Sequence, residues 1–193
     1  MFLLSLPVLL ESDFILALWL KEVPPYSSVF LRLVILSSLV GCLSGSLMTV
    51  ASATGRIKWY QIIVGGLLLL NLPESYILLK FGFPVYVPFV VVIINSCIAL
   101  FCRVELLHRM VGLSKRDFIV RVLLVVLLVG GIATILPCFL RLGMTEGWIR
   151  FLCILATSIL STCLAVYFMG LKKNERGILK NKIRIFVRNL LNK

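Results

Sequence analysis

The sequence predicts an all-α polytopic membrane bundle of about five full transmembrane helices plus one partial helix. Three observations predict it. Five continuous apolar runs recur along the 193 residues, each near the length of about 20 residues that a helix needs to cross a bilayer core. Hydrophobic residues make up 61% of the chain and the mean hydropathy is +1.09, far above the balance of a soluble domain. The charges sit between and after the runs, and their asymmetry gives the bundle a direction.

The full runs cover about 28–53, 59–79, 84–102, 118–140 and 148–171. Their unbroken apolar character argues against a soluble amphipathic bundle. Barrel strands are shorter, about ten residues, and alternate in polarity. Residues 1–20 read differently. Phe2 to Leu10 looks like the end of a span, Glu11-Ser12-Asp13 breaks it, and Phe14 to Leu20 resumes as an interfacial piece around Trp19. No basic start precedes Lys21, as a signal peptide would need. The segment therefore reads as the partial helix, and the transmembrane region as 1–171.

Alternating the runs places fifteen of the twenty Lys and Arg on one side, which the positive-inside rule makes cytoplasmic. The C-terminus falls on that side. The tail 172–193 spaces Leu179, Ile183, Phe186 and Leu190 at helical intervals among lysines and arginines. It is expected to lie on an anionic inner leaflet or to act only as a topology signal. The net charge of +12 does not indicate a nucleic-acid partner, because no aromatic-basic platform or nucleic-acid motif accompanies it.

The connections carry turn residues: Pro24-Pro25, Thr54-Gly55, Gly82-Phe83-Pro84, Gly112-Leu113-Ser114 and Arg141-Leu142-Gly143. Their shortness predicts that consecutive spans lie side by side and antiparallel. Ser114 with Asp117 three residues on reads as a helix start. Trp59, Tyr60, Trp148 and Tyr167 fall near run ends, where aromatic belts form. Gly41 and Gly45 make a close-packing pattern within the first full run. The six cysteines are unclustered and read as small core hydrophobes.

The polar residues inside the runs are the candidate functional residues. Asn71, Pro73 and Glu74 interrupt the second run. Pro73 removes a backbone bond and is expected to kink it. Asn71 and Glu74 are three apart and share a face. In hydrocarbon such groups are costly unless they face protein or water, so that face either lines a cavity or reaches interfacial water. Asn95 lies mid-run in the third span, and the serines of the first either line a polar face or are answered by their own helix. Arg32, one turn into the first full span, either meets an anionic group or snorkels. Arg103 and Glu105 suggest an exposed pair. The lone His108 excludes a multi-histidine metal site, and neither a catalytic constellation nor a phosphate-cradling loop is present, so no enzyme activity and no cofactor is expected.

The run Ala53-Thr54-Gly55-Arg56-Ile57-Lys58-Trp59-Tyr60-Gln61, then Asn71-Leu72-Pro73-Glu74-Ser75-Tyr76 and Leu79-Lys80-Phe81-Gly82, resembles the second half of polysaccharide flippases. These are the O-antigen and capsule lipid-linked oligosaccharide exporters of the multidrug/oligosaccharidyl-lipid/polysaccharide superfamily. Phe14 to Leu20 with Val23-Pro24 resembles the segment after their seventh helix. The resemblance implies a bacterial inner-membrane protein that turns an undecaprenyl-pyrophosphate-linked oligosaccharide between leaflets by alternating access. It makes Arg32, Asn71, Glu74 and Asn95 the substrate-binding candidates by position. Proton or sodium coupling occurs in relatives, and Glu74 is the candidate for it. Family members have about twelve spans in two similar halves with the path between them. This chain therefore corresponds to a C-terminal half, expected to pair with an N-terminal half or with a second copy of itself. The alternatives are an integral-membrane interaction subunit that does not transport, or an inactive truncated fragment. A lipid-modifying enzyme would show clustered His, Asp or Ser near one face.

Overall fold

The protein is a multi-pass, all-α bundle. The structure, a computed structural model, describes residues 1–55, 57–145 and 147–170. Arg56 and the basic tail 172–193 lie outside the described residues. Those described form helices joined by short turns: α1 (Phe2–Leu10), α2 (Ser12–Trp19), α3 (Ser27–Ala53), α4 (Ile57–Leu69), α5 (Asn71–Lys80), α6 (Val87–Val111), α7 (Lys115–Phe118), α8 (Leu124–Gly143) and α9 (Trp148–Ala165). π-helical turns at Ile119–Leu123 and Val166–Gly170 continue α7 into α8 and extend α9. Five segments are long and apolar enough to cross a membrane: Ser27–Ala53, Ile57–Lys80, Val87–Val111, Lys115–Gly143 and Trp148–Gly170.

The first 19 residues form a bent pair. α1 and α2 meet at 80°, with Glu11 at the corner in a non-helical conformation. A carboxylate there cannot continue into hydrocarbon, whereas Asp13 in the first turn of α2 suits the positive end of that helix. Trp19 at the far end of α2 is exposed. Tyr26, in the left-handed region at φ 68°, then starts α3 behind the Pro24-Pro25 turn.

Two interior clusters hold the bundle. One joins α3, α4 and α6 through Leu47, Ala51, Tyr60, Val64, Leu100 and Leu107. The other joins α1, α8 and α9 through Leu6, Val129, Ala133 and Ala165. Most of the other large apolar side chains are exposed, including Leu127, Phe139, Ile149 and Leu160. In water this would be an aggregating surface, whereas in lipid it is the expected exterior.

The order of packing follows the neighbours that the short connections predict where α4 and α5 pack on α6 and where α8 packs on α9, and departs from that order at the other two junctions. α3 packs chiefly along α6, and touches α4 only lightly. The rings of Tyr26 and Tyr86 lie 6.1 Å apart and those of Phe30 and Phe89 5.1 Å apart, so the starts of α3 and α6 share one end and the two helices run parallel. α8 likewise leaves α6 and packs on α9. Its Leu123 end still rests on the first cluster, while Val129 and Ala133 belong to the second. A short turn fixes only where two helices meet. Which faces pack is decided by where small and complementary side chains fall.

Several local expectations are corrected. Gly41 and Gly45 pack against nothing: a Cβ built on either has no neighbour within 4 Å. The close helix contact is made instead at Gly130, whose Cβ position lies 3.0 Å from the Phe2 ring. Cys42, Cys138 and Cys163 are exposed rather than filling a core, and the other three cysteines are half-buried. Tyr60 is not an interfacial belt residue. It is buried under the Arg103 guanidinium, 6.0 Å from the ring centre. Glu105 pairs not with Arg103 but with Arg109 at 3.0 Å and with Lys115. The helix thus continues past the charges that end the apolar run, until Gly112 closes it at φ 73°. The interruption of the second span falls at Leu70, three residues before Pro73, next to the Leu69 carbonyl that the proline leaves without its N–H donor.

Candidate functional site

Two polar groups stand out. The first lies within the spans. Asn71 opens α5, and Glu74 follows one turn later on the same face. Both point at Asn95 of α6, which is 6% exposed. The Asn95 amide nitrogen donates to Asn71 Oδ1 at 2.8 Å and to Glu74 Oε2 at 2.6 Å. Only the NH2 end of an asparagine satisfies two oxygens at once, which fixes its orientation.

Glu74 forms no ion pair among the described residues. Its charge is met by an amide, and a carboxylate has capacity for more donors than one. The Asn71 amide supplies two donors to the same place. This group can therefore exchange hydrogen bonds with a hydroxyl-rich ligand, or hold and release a cation, inside a largely apolar span.

The second group lies where α1 turns into α2. Glu11 is 1% exposed and Arg150 of α9 is 7% exposed, and they pair at 2.8 Å. The second oxygen of Glu11, Oε1, is buried with no hydrogen-bond partner among the described residues. Beside them Arg32 donates from Nε to Ser12 Oγ at 2.7 Å and from Nη2 to Asp13 Oδ2 at 2.7 Å. Arg141 approaches the same Asp13 oxygen at 3.9 Å. Phe14 meets Trp148 edge to face and Phe151 at a tilt, and so clamps α2 to the start of α9. Three guanidinium groups thus meet two carboxylates, and the Asp13, Arg32 and Arg141 side chains remain between one third and a little over one half exposed. The surplus of cations suits an anion.

Of the four candidate residues read from the sequence, the structure gathers Asn71, Glu74 and Asn95 into one hydrogen-bonded group. Arg32 belongs to the other group and shares no hydrogen bond with them. Arg32 neither snorkels freely nor stands alone, because Ser12 and Asp13 hold it. Sequence reasoning missed Glu11, Asp13, Arg141 and Arg150. Their one signal was charge at the edge of apolar runs, with all four on the same side once the runs alternate. The hydroxyls of α3 turn inward on their own helix: Ser38, Thr49 and Ser52 each donate to the carbonyl four residues earlier. Among the described residues no three of His, Cys, Asp and Glu come together as a metal ion would require. No family model, curated protein or solved structure matches the chain.

Proposed function

We propose that this chain works as one half of a flippase that moves an undecaprenyl-pyrophosphate-linked oligosaccharide across a bacterial inner membrane for surface polysaccharide synthesis. The observation that carries the reading is the bond pattern at Asn95. An amide, a second amide and an uncompensated carboxylate are held together inside two adjacent apolar spans. Such groups are expensive in hydrocarbon and mark a path for something polar. The sequence resemblance to the second half of the polysaccharide flippases supports the same reading. Saccharide hydroxyls would exchange bonds with Asn71, Glu74 and Asn95, while the arginines beside Asp13 would meet the pyrophosphate as it reaches that end. The positive-inside asymmetry puts the C-terminus in the cytoplasm and the Asp13 end on the far side. A twelve-helix path needs a second half, which a separate N-terminal half or another copy of this chain would provide.

The test is a proteoliposome assay with a fluorescent polyprenyl-pyrophosphate oligosaccharide and a membrane-impermeant quencher. The wild-type chain is expected to speed leaflet exchange over protein-free vesicles. Replacing Glu74 and Asn95 together by leucine is expected to slow that exchange by about tenfold or more, the scale on which lost transition-state contacts register. No acceleration by the wild type sinks the self-paired form of the proposal, and equal rates for the variant sink the role given to Glu74 and Asn95.

A second reading has one observation in its favour. The Gly41–Gly45 face of α3 meets nothing within 4 Å, as a contact face awaiting another helix would. On this reading the chain is a non-transporting interaction subunit. A variant keeping only Cys42, which is exposed on that helix, would then cross-link to a neighbouring membrane protein in native membranes, and Gly45→Leu would prevent it.

A further inference from the structure

The end of the bundle away from Glu11 holds a feature that the transport reading does not use. α6 lies between α4 and the start of α7, and α8 diverges from it beyond Leu123. The divergence leaves a cleft of about 530 Å³. Its walls are apolar, with Ile63 on one side, Phe101 and Leu106 on the floor and Ile119 on the other side. Its rim is charged, with Arg109 in the last turn of α6 and Lys115 in the first turn of α7. Both cations share one carboxylate, Glu105. Between positions 103 and 121 there are five Lys and Arg against two carboxylates, so the rim has positive charge in excess.

We propose that this cleft is a binding site for a resident anionic phospholipid, with its phosphate on Arg109 and Lys115 and an acyl chain against Ile63, Phe101 and Ile119. The shape and the charge each restrict the occupant. An apolar cleft opening sideways from a membrane-spanning helix is filled by hydrocarbon, since an empty one forfeits the contacts of its walls and water gains nothing there. The cations stand at the helix ends, at the depth where head groups lie. Basic pockets between spanning helices at that depth select anionic over zwitterionic head groups. The side-chain exposures of Lys115 and Arg109, 44% and 74%, leave their donors free to serve a phosphate while Glu105 holds them in place. A phosphate accepts more hydrogen bonds than the one carboxylate supplies. The lipid would also bridge α6 to the α7–α8 span across the gap where their side chains part. The positive-inside asymmetry assigns this end to the cytoplasmic leaflet, where anionic lipid is concentrated.

The site is independent of the transport proposal and is tested by a different readout. The full chain is reconstituted in phosphatidylcholine vesicles carrying spin-labelled phosphatidylglycerol or phosphatidylcholine with identical chains. The motionally restricted, protein-bound fraction is then compared. The wild type is expected to favour phosphatidylglycerol about fivefold, the worth of one uncompensated cation at a membrane surface. Arg109→Gln with Lys115→Gln is expected to bring the ratio to about one. Arg109→Lys with Lys115→Arg is expected to keep it, which separates lost charge from lost fold. Ile63→Trp, which fills the apolar cleft and leaves the charges, is expected to remove the preference as well. Equal binding of the two lipids by the wild type overturns the proposal. So does a preference that survives the double glutamine variant, or one lost equally in Lys21→Gln with Lys80→Gln at the other end.

Discussion

Glu11 and Arg150 lie 139 positions apart and meet in a 2.8 Å ion pair that is almost wholly buried. The pair stands at the corner where α1 bends by 80° into α2, and it ties that corner to the first turn of α9. Removing one partner leaves the other charged and enclosed, which in buried pairs costs about 3–5 kcal/mol, whereas replacing both by apolar side chains of similar size is often neutral. Arg150→Met alone is therefore expected to destabilise the bundle by about 3 kcal/mol or more, and Glu11→Leu with Arg150→Met to restore most of that loss. Detergent-titrated unfolding in bicelles measures both. If the double variant is as unstable as the two single costs added, the pair is not what holds the corner.

Asn95 is the hub of the intramembrane group, and its replacement separates two roles. With leucine at 95, Asn71 Oδ1 and Glu74 Oε2 both lose their donor. Interhelical hydrogen bonds in membranes are worth about 0.6 kcal/mol each on average and about 1.7 at most. Asn95→Leu is thus expected to lower stability by about 1–2 kcal/mol, leaving the protein folded. Asn95→Asp, by contrast, sets a second acid against Glu74 and is expected to cost more. A fold that does not respond to Asn95→Leu at all would mean that the two bonds are replaced by water.

The spans were legible in the sequence because continuous apolar length is a strong signal and nothing soluble imitates it. The ends were legible where a cap residue specified them: Ser114 accepts from the Asp117 N–H at 3.3 Å, as the Ser-x-x-Asp spacing predicts. Span three was read too short, because Arg103 and Glu105 look like a terminus until Glu105 is seen to be neutralised by Arg109 and Lys115. The shared face of Asn71 and Glu74 follows from helix geometry, but nothing local says that Asn95 is what they meet. The same limit hid Glu11 and Arg150. Two charges at opposite ends of a chain become partners only through the packing of α1 on α9, and a single sequence does not encode that pairing visibly. The glycine pattern misled for a related reason. A small residue permits a close approach without requiring one.

The two kinds of glycine should therefore behave oppositely. Gly45→Leu meets open space and is expected to change the stability of the isolated chain by less than about 0.5 kcal/mol. Gly130→Ala pushes a methyl to 3.0 Å from the Phe2 ring and is expected to cost about 1 kcal/mol as α1 shifts off α8. Thermal unfolding of the purified chain distinguishes them. A Gly45→Leu variant that unfolds more easily than Gly130→Ala would place the helix contact on the wrong face of α3.

Pro137 and Ser161 offer the sharpest test of how the second cluster is built. A proline inside α8 cannot donate to the carbonyl four residues earlier, so Ala133 O is left over at the most buried point of that helix. Ser161 of α9 answers it, with its hydroxyl donating at 2.9 Å. Ser161→Ala should then cost about 1 kcal/mol, since a buried carbonyl loses the donor that α9 supplies. In a Pro137→Ala background the helix donates to Ala133 O itself, and the same serine change should cost almost nothing. The coupling energy from this cycle is expected to be about 1 kcal/mol, provided that Pro137→Ala leaves the α8–α9 contact in place. Additive single effects would show that the serine contributes by packing alone, and that Ala133 O is satisfied in some other way.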